Sequence, residues 1–449
     1  MPLSSADANH NCYPHLMASS KINTPRQVLF ASLVGTTVEF FDFYIYATAA
    51  VLVFPSLFFP ASNPASAVLL SLATFGVAFF ARPIGSALFG HFGDRIGRKR
   101  TLVFALSTMG LSTFLIGVLP GYAAIGVVAP LLLALCRFGQ GIGLGGEWGG
   151  AVLLAVENAP ANKRALYGMF PQLGAPLGFM LSGLSFLILS HVLSTQQFLS
   201  FGWRIPFLAS SVLVLLGLYV RLTITETPIF REALQRSEPV KVPISDVLRH
   251  YPREVFAGIL LFLATFVLFY LMIVFTPSWA KVLHYPSTRI LSFQLIATVF
   301  FAAATPVSAW LAEYGRRKVM IIVNIAIGLF GFVFAPLFMS GVRGVFLMML
   351  LGLTLMGLVY GAQGTLIAEL FATPVRYTGS SIAFSMGGVL GASATPYIAM
   401  QLATKYGLKS VGYYLTGSAV LSVIGLLLIR ETKNRDLNAS SIPPVTVEI

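Results

Sequence analysis

Apolar runs of roughly 20 residues recur along almost the whole chain with short polar turns between them, and runs of that length predict membrane-crossing helices. They fall at 28–54, 66–90, 101–119, 123–156, 165–190, 205–222, 255–281, 289–312, 318–338, 344–370, 377–403 and 408–430. A run such as 256–275 is almost continuously apolar, whereas a barrel strand would alternate apolar and polar over about 10 residues, so helices are expected. Between the sixth and seventh runs, 223–254 carries Glu226, Arg231, Glu232, Arg236, Glu238, Lys241, Asp246, Arg249 and Arg253 with several prolines. That stretch cannot span and is expected to be a linker. The predicted organisation is a tail over 1–27, a six-helix unit over 28–222, the linker 223–254, a second six-helix unit over 255–430 and a tail over 431–449.

Composition agrees with an integral membrane protein: 56% of residues are hydrophobic and only 10% charged, against roughly 25% charged in soluble domains. The net charge of +13 suggests nucleic acid until the bases are placed. Most of the 29 Lys and Arg residues fall in the tails and in connectors on the N-terminal side, such as 95–100, 163–164, 249–253 and 316–318. The opposite connectors hold Arg204, Lys281, Arg289, Arg343, Lys405 and Lys409. The bias puts both termini in the cytoplasm and excludes a nucleic-acid partner. Cys12, in the polar leader, and Cys136, inside a span, are not expected to pair. Residues 1–27 lack the features of a signal peptide and read as a tail, with Met17 an alternative start.

The two halves repeat each other. Glu157 and Arg164 recur as Glu369 and Arg376, Gly174 and Gly178 as Gly387 and Gly391, and the turn Gly97-Arg98-Lys99 as Gly315-Arg316-Arg317.

Charges inside lipid are costly, so the few present are functional candidates. Glu39 and Asp42 in the first run are three residues apart, on one helical face among aromatic neighbours. Two close carboxylates compete for charge, the property a proton-coupling site needs; a structural pair bonded to neighbouring helices is the plainer reading. The fourth run carries Arg137, Gln140 and Glu147 beside a glycine series. Gly141 and Gly145 form a small-xxx-small pair that serves packing. The guanidinium of Arg137 stays charged and needs a carboxylate or an anionic ligand, so it is a substrate candidate or a structural ion pair. Arg82 ends an apolar segment and either snorkels to the interface or binds an anion. The six histidines show no metal-ligand spacing, and no Walker loop is present. Gly141-Ile142-Gly143-Leu144-Gly145-Gly146 lacks the preceding strand of a dinucleotide motif.

These residues resemble the major facilitator superfamily over nearly the full length, and more narrowly its metabolite:proton symporter family in the shikimate-transporter-like branch. Gly90, Asp94, Arg95, Gly97, Arg98 and Lys99 match the signature turn after the second helix. The narrower likeness rests on Glu39-Phe40-Phe41-Asp42-Phe43-Tyr44, Arg82-Pro83-Ile84-Gly85, Arg137-x2-Gln140-Gly141, Gly145-Gly146-Glu147 and Pro374-Val375-Arg376-Tyr377-Thr378-Gly379. The resemblance implies twelve transmembrane helices in two pseudo-symmetric six-helix bundles, in a bacterial inner membrane, with a substrate site between them at mid-membrane.

On that basis the expected function is proton-coupled uptake of a small organic acid by alternating access, without enzyme activity or cofactor, driven by the proton gradient. Its partners are the substrate, protons and membrane lipid, and a monomer is expected to suffice. Glu39, Asp42 and Glu147 are proton-coupling candidates. Tyr44, Arg82, Arg137 and Gln140 are substrate candidates. Gly90, Asp94, Arg95, Gly97, Arg98, Glu157, Arg164, Glu369 and Arg376 are expected to form a conformational latch, with Asp94 meeting either the start of the eleventh helix near Thr378 or Arg164. A zwitterion such as proline or betaine is the alternative substrate, and a membrane sensor without transport is a further alternative. Two departures matter. Glu313 stands two residues before Gly315 where Asp94 stands three before Gly97, so no equivalent contact is expected there. The segment Gly174-Ala175-Pro176-Leu177-Gly178 matches the glycine-proline motif of drug antiporters only in part, which disfavours efflux.

Overall fold

A computed structural model describes residues 24–60, 64–227, 229–232 and 242–437. Most of both tails, Met17, and Arg236 to Lys241 of the linker lie outside the described residues. Twelve helices are long and apolar enough to cross a membrane. The first six are α1 Pro25–Leu52, α2 Pro64–Arg95, α3 Arg98–Val118, α4 Val128–Glu157, α5 Arg164–Val192 and α6 Arg204–Leu222. The second six are α7 Pro252–Val282, α8 Ser287–Ala312, α9 Arg316–Met339, α10 Val342–Glu369, α11 Thr373–Tyr406 and α12 Leu408–Leu427.

Local chemistry sets several ends. Thr24 caps α1 in a reciprocal box with Gln27, and Pro25 opens the helix where its missing N–H costs nothing. The fourth span starts later than its apolar pattern suggests. A short helix Tyr122–Ile125 ends at Gly126, whose φ of 59° breaks the backbone before α4 begins at Val128. The linker contains the helix Pro243–His250, which buries Val247 and exposes Leu248 and Arg249.

Packing repeats between the halves. In the first, α1 lies against α5 and α6, α3 against α6, and α2 against α4; in the second, α7 lies against α11 and α12, α9 against α12, and α8 against α10. The glycines of α4 make one of these contacts close: a side chain at Gly141 would meet the Ala78 carbonyl, and one at Gly145 the Arg82 carbonyl of α2. The halves meet through α2 with α11 and through α5 with α8. Phe80, Phe104, Leu131, Val212, Leu215, Ile322 and Leu329 are exposed, as residues facing lipid must be.

Candidate functional site

A cavity of about 30 Å³ lies between the halves, lined by Phe40, Phe43 and Tyr44 of α1, Arg82 of α2, Thr265, Phe266, Phe269 and Tyr270 of α7, Tyr360 of α10 and Phe384 of α11, among others. That volume accommodates about two waters and is far below the size of a ligand pocket. On one side Phe384 stacks on Trp148 with ring centres 3.8 Å apart. On the other, Tyr44 meets Phe269 at 6.1 Å and Phe79 meets Tyr270 at 5.7 Å, again across the halves.

Arg82 is 4% exposed and does not snorkel. Pro83 and the Gly85–Ile142 contact hold its turn of α2 against α4 inside the protein. Its guanidinium lies 5.0 Å from the centre of the Phe384 ring, and its Nε and Nη2 are buried without an acceptor among the described residues. Those two nitrogens form one edge of the guanidinium, the edge that takes a carboxylate through two parallel hydrogen bonds. Tyr44 lines the same cavity.

Arg137 and Gln140 are placed elsewhere. The Arg137 guanidinium sits 4.7 Å from the Phe43 ring, 4.1 Å from Tyr46 and 4.9 Å from Phe75, and donates to Gln140 Oε1 at 2.9 Å. Gln140 Nε2 then donates to Thr113 Oγ1 at 2.7 Å, and Thr113 donates to Asp42 Oδ2 at 2.8 Å. Ser210 donates to Asp42 Oδ1. Arg137 thus packs on aromatic faces and an amide, and its Nε and Nη2 are, like those of Arg82, buried without a partner among the described residues; what separates the two is that neither Arg137 nor Gln140 lines the cavity. Asp42 points into the junction of α1, α3 and α6, whereas both oxygens of Glu39 are buried and accept no hydrogen bond from any described residue. Glu147 is held by both terminal nitrogens of Arg221. Arg221 closes the apolar run 205–222, yet it is 2% exposed.

One face of the bundle is bolted shut across the halves. Asp94 accepts from the backbone N–H of Tyr377 at 3.1 Å and Thr378 at 2.9 Å, and from the Thr378 hydroxyl at 2.8 Å. It also pairs with Arg98 at 3.4 Å, and a side chain at Gly90 would strike Thr378. Glu157 binds Arg98 at 3.4 Å and Arg376 at 3.1 Å, and accepts from Thr227. Gly97 turns the chain into α3 with φ of 110° and lies against Glu226, which accepts from the Lys99 N–H.

The second half repeats this pattern. Glu313 accepts from the N–H groups of Ala165 at 2.8 Å and Leu166 at 3.2 Å, capping α5 as Asp94 caps α11. The contact not expected of Glu313 is therefore made: the helix end at Ala312 and the side-chain length of Glu offset the one-residue difference in spacing. Glu369 pairs with Arg316 at 2.8 Å and lies 3.9 Å from Arg164. Arg164 therefore does not serve Asp94. Arg95 does not join the latch either, since it faces outward and contacts His91 at 3.2 Å.

Residues 32–396 match the sequence model of the Major Facilitator Superfamily. The chain belongs to that superfamily. Among curated relatives, it is 53% identical over 431 residues to "Inner membrane metabolite transport protein YhjE" of Escherichia coli K12, covering 94% of this chain and 98% of that protein. It is 36% identical to the shikimate transporter of the same organism, covering 92% and 96%, and 32% identical to the proline/betaine transporter of Salmonella typhimurium, covering 93% and 85%. The fold is that of the proton:xylose symporter XylE bound to 6-bromo-6-deoxy-D-glucose, with a TM-score of 0.76 at 18% identity over 92% of this chain and 98% of that one. This superfamily member is a multi-span membrane transporter, not an enzyme.

Sequence reasoning missed Arg221, Thr113, Ser210, Trp148, Tyr270, Tyr360 and Phe384. Arg221 stood at the end of an apolar run like any interfacial base, and the others are ordinary residues of apolar spans. Only the unusual density of Tyr and Phe in these runs was legible.

Proposed function

We propose that the protein imports a small organic acid with protons across a bacterial inner membrane, working as a monomer with the Asp94 face toward the cytoplasm. The carrying observation is Arg82, whose buried guanidinium edge faces the cavity without an acceptor. A carboxylate satisfies both free nitrogens and offsets a charge otherwise stranded in a low-dielectric site. Aromatic side chains from both halves line the same space, so a bound ring can touch α1, α7, α10 and α11 together. Glu39 and Asp42 are the proton-site candidates. The orientation rests on the basic connectors, which lie on the Asp94 side.

A zwitterion is the second reading. Phe40, Tyr44, Phe269 and Tyr270 could cage an ammonium while Arg82 takes the carboxylate, and a relative is named for proline and betaine.

Proteoliposomes holding labelled shikimate uptake against unlabelled succinate, proline and glycine betaine separate the readings. Acid-gradient-driven accumulation of shikimate, abolished by a protonophore, is expected. Accumulation of betaine or proline without carboxylate uptake would overturn the acid in favour of the zwitterion.

A further inference from the structure

Two buried carboxylates, Glu39 and Glu147, lie around one guanidinium. Arg221 gives Nη1 to Glu147 Oε2 at 2.6 Å and Nη2 to Oε1, while Nη1 also reaches the Leu102 carbonyl at 3.0 Å. The same guanidinium occupies the space over Gly35, where a side chain would collide with it. Gly35 is one turn of α1 before Glu39, whose two oxygens are fully buried and accept no hydrogen bond from any described residue.

The groups facing Glu39 are few. Arg82 comes from α2, Arg221 from α6 with its partner Glu147 of α4, and Tyr360 from α10; α1 itself adds Tyr44, and Tyr377 of α11 faces Arg221. Asp42 is engaged by Thr113 and Ser210. By sequence, α3 has no titratable side chain beyond Arg100, and α5 has none between Tyr167 and His191.

A guanidinium keeps its charge, so this buried trio is neutral only when its two carboxylates hold one proton between them. Arg221 is committed to Glu147, which leaves Glu39 as the carboxylate without a donor. Ionised, it would have no hydrogen bond to any described residue and, besides Arg221, would face only the Arg82 guanidinium of α2, which it does not touch. We propose that Arg221 is a cation exchanged between Glu147 and Glu39, resting on Glu147 while Glu39 is protonated and crossing to Glu39 when that proton moves to Glu147.

The exchange conserves charge. The proton leaves a Glu39 oxygen and binds a Glu147 oxygen, the guanidinium moves the other way, and the trio stays neutral in both arrangements. The bare backbone at Gly35 gives the guanidinium its path along α1. Release of the proton from Glu147 toward the Asp94 face leaves the trio with a net negative charge until Glu39 is reloaded from the other side. This inference rests on the reading of Glu39 as a proton site, and it makes Arg221 a positioning residue for coupling.

The test is infrared spectroscopy of the purified protein in lipid vesicles at neutral pH without substrate, reading the C=O stretch of protonated carboxyls. The native protein should show a band that Glu39→Gln removes. Glu147→Gln frees Arg221 to pair with Glu39, so the band should be lost, whereas Glu147→Asp keeps a partner for Arg221 and should retain it. The double variant Arg221→Gln/Glu147→Gln replaces the ion pair by a neutral hydrogen-bonded pair and should also retain it, so the test survives a misfolded Glu147→Gln.

A Glu39 band that persists in folded Glu147→Gln, disappears in the double variant, or is absent from the native protein would overturn the exchange. A static ion pair leaves the band unchanged in every Glu147 and Arg221 variant. Uptake of shikimate is measured separately: its failure with the infrared pattern intact faults the substrate alone, and the converse faults the exchange alone.

Discussion

The Phe384 ring of α11 lies flat on the indole of Trp148 from α4, 3.8 Å between centres and 8° from parallel, and joins the two halves beside the cavity. Gln172 braces this contact by accepting from Trp148 Nε1 at 2.9 Å and donating to the Tyr360 carbonyl of α10 at 2.9 Å. The hydroxyls of Ser86 and Ser385 meet across the halves at 2.5 Å.

Phe384→Ala should loosen this seal. An aromatic pair contributes ~0.5–1.5 kcal/mol beyond its buried area, so the open population should rise roughly 2- to 12-fold. With both native cysteines replaced, Ser385→Cys should react faster with a thiol reagent in the Phe384→Ala background. An unchanged rate would show that the seal lies elsewhere.

Asp94 and Glu313 cap helices of the opposite half, so each should hold the same face closed. Bonds to a charged acceptor contribute ~1.5–3 kcal/mol each, and losing about 2 kcal/mol shifts the closed-to-open ratio roughly 30-fold. Asp94→Asn and Glu313→Gln should each lengthen spin-label distances across that face. The two effects should add, because the caps share no partner. Distances that stay at native values in both variants would reduce the caps to local helix chemistry.

Arg82 and Arg137 should part company on substitution. Arg82→Lys keeps the charge but loses the planar edge, so carboxylate affinity should fall at least about tenfold with little change in melting temperature. Arg137→Gln removes a cation packed on three rings and should lower the melting temperature while leaving affinity in the folded fraction nearly intact. Lost binding in Arg137→Gln together with normal binding in Arg82→Lys would move the anion site to Arg137.

The orientation has its own test. A protease site placed between Arg231 and Lys241 should be cut only from the cytoplasmic side of intact cells and inverted vesicles, because the bases around it resist translocation. Cleavage from outside intact cells would reverse the orientation and the direction of uptake with it.

The number of spans, the two-fold repeat and the Asp94 turn were all legible in the sequence. Each depends on a local rule, namely the length of an apolar run, the recurrence of a motif at a fixed offset, or the cost of charge in lipid. The glycine spacing of α4 likewise told of close packing before the partner helix was known. Which charge meets which neighbour depends on helix rotation and depth, and these follow from side chains on several helices at once. Glu39 and Asp42, three residues apart, are parted because Thr113 and Ser210 claim one of them from α3 and α6. Arg137 is enclosed by rings from α1 and α2, while Arg82 faces the cavity. Arg221, which reads as an interfacial base, is drawn inward by Glu147 from a helix far away in the chain. In a low-dielectric interior a charge is placed by the partner that satisfies it, and only the packed bundle decides which partner is within reach.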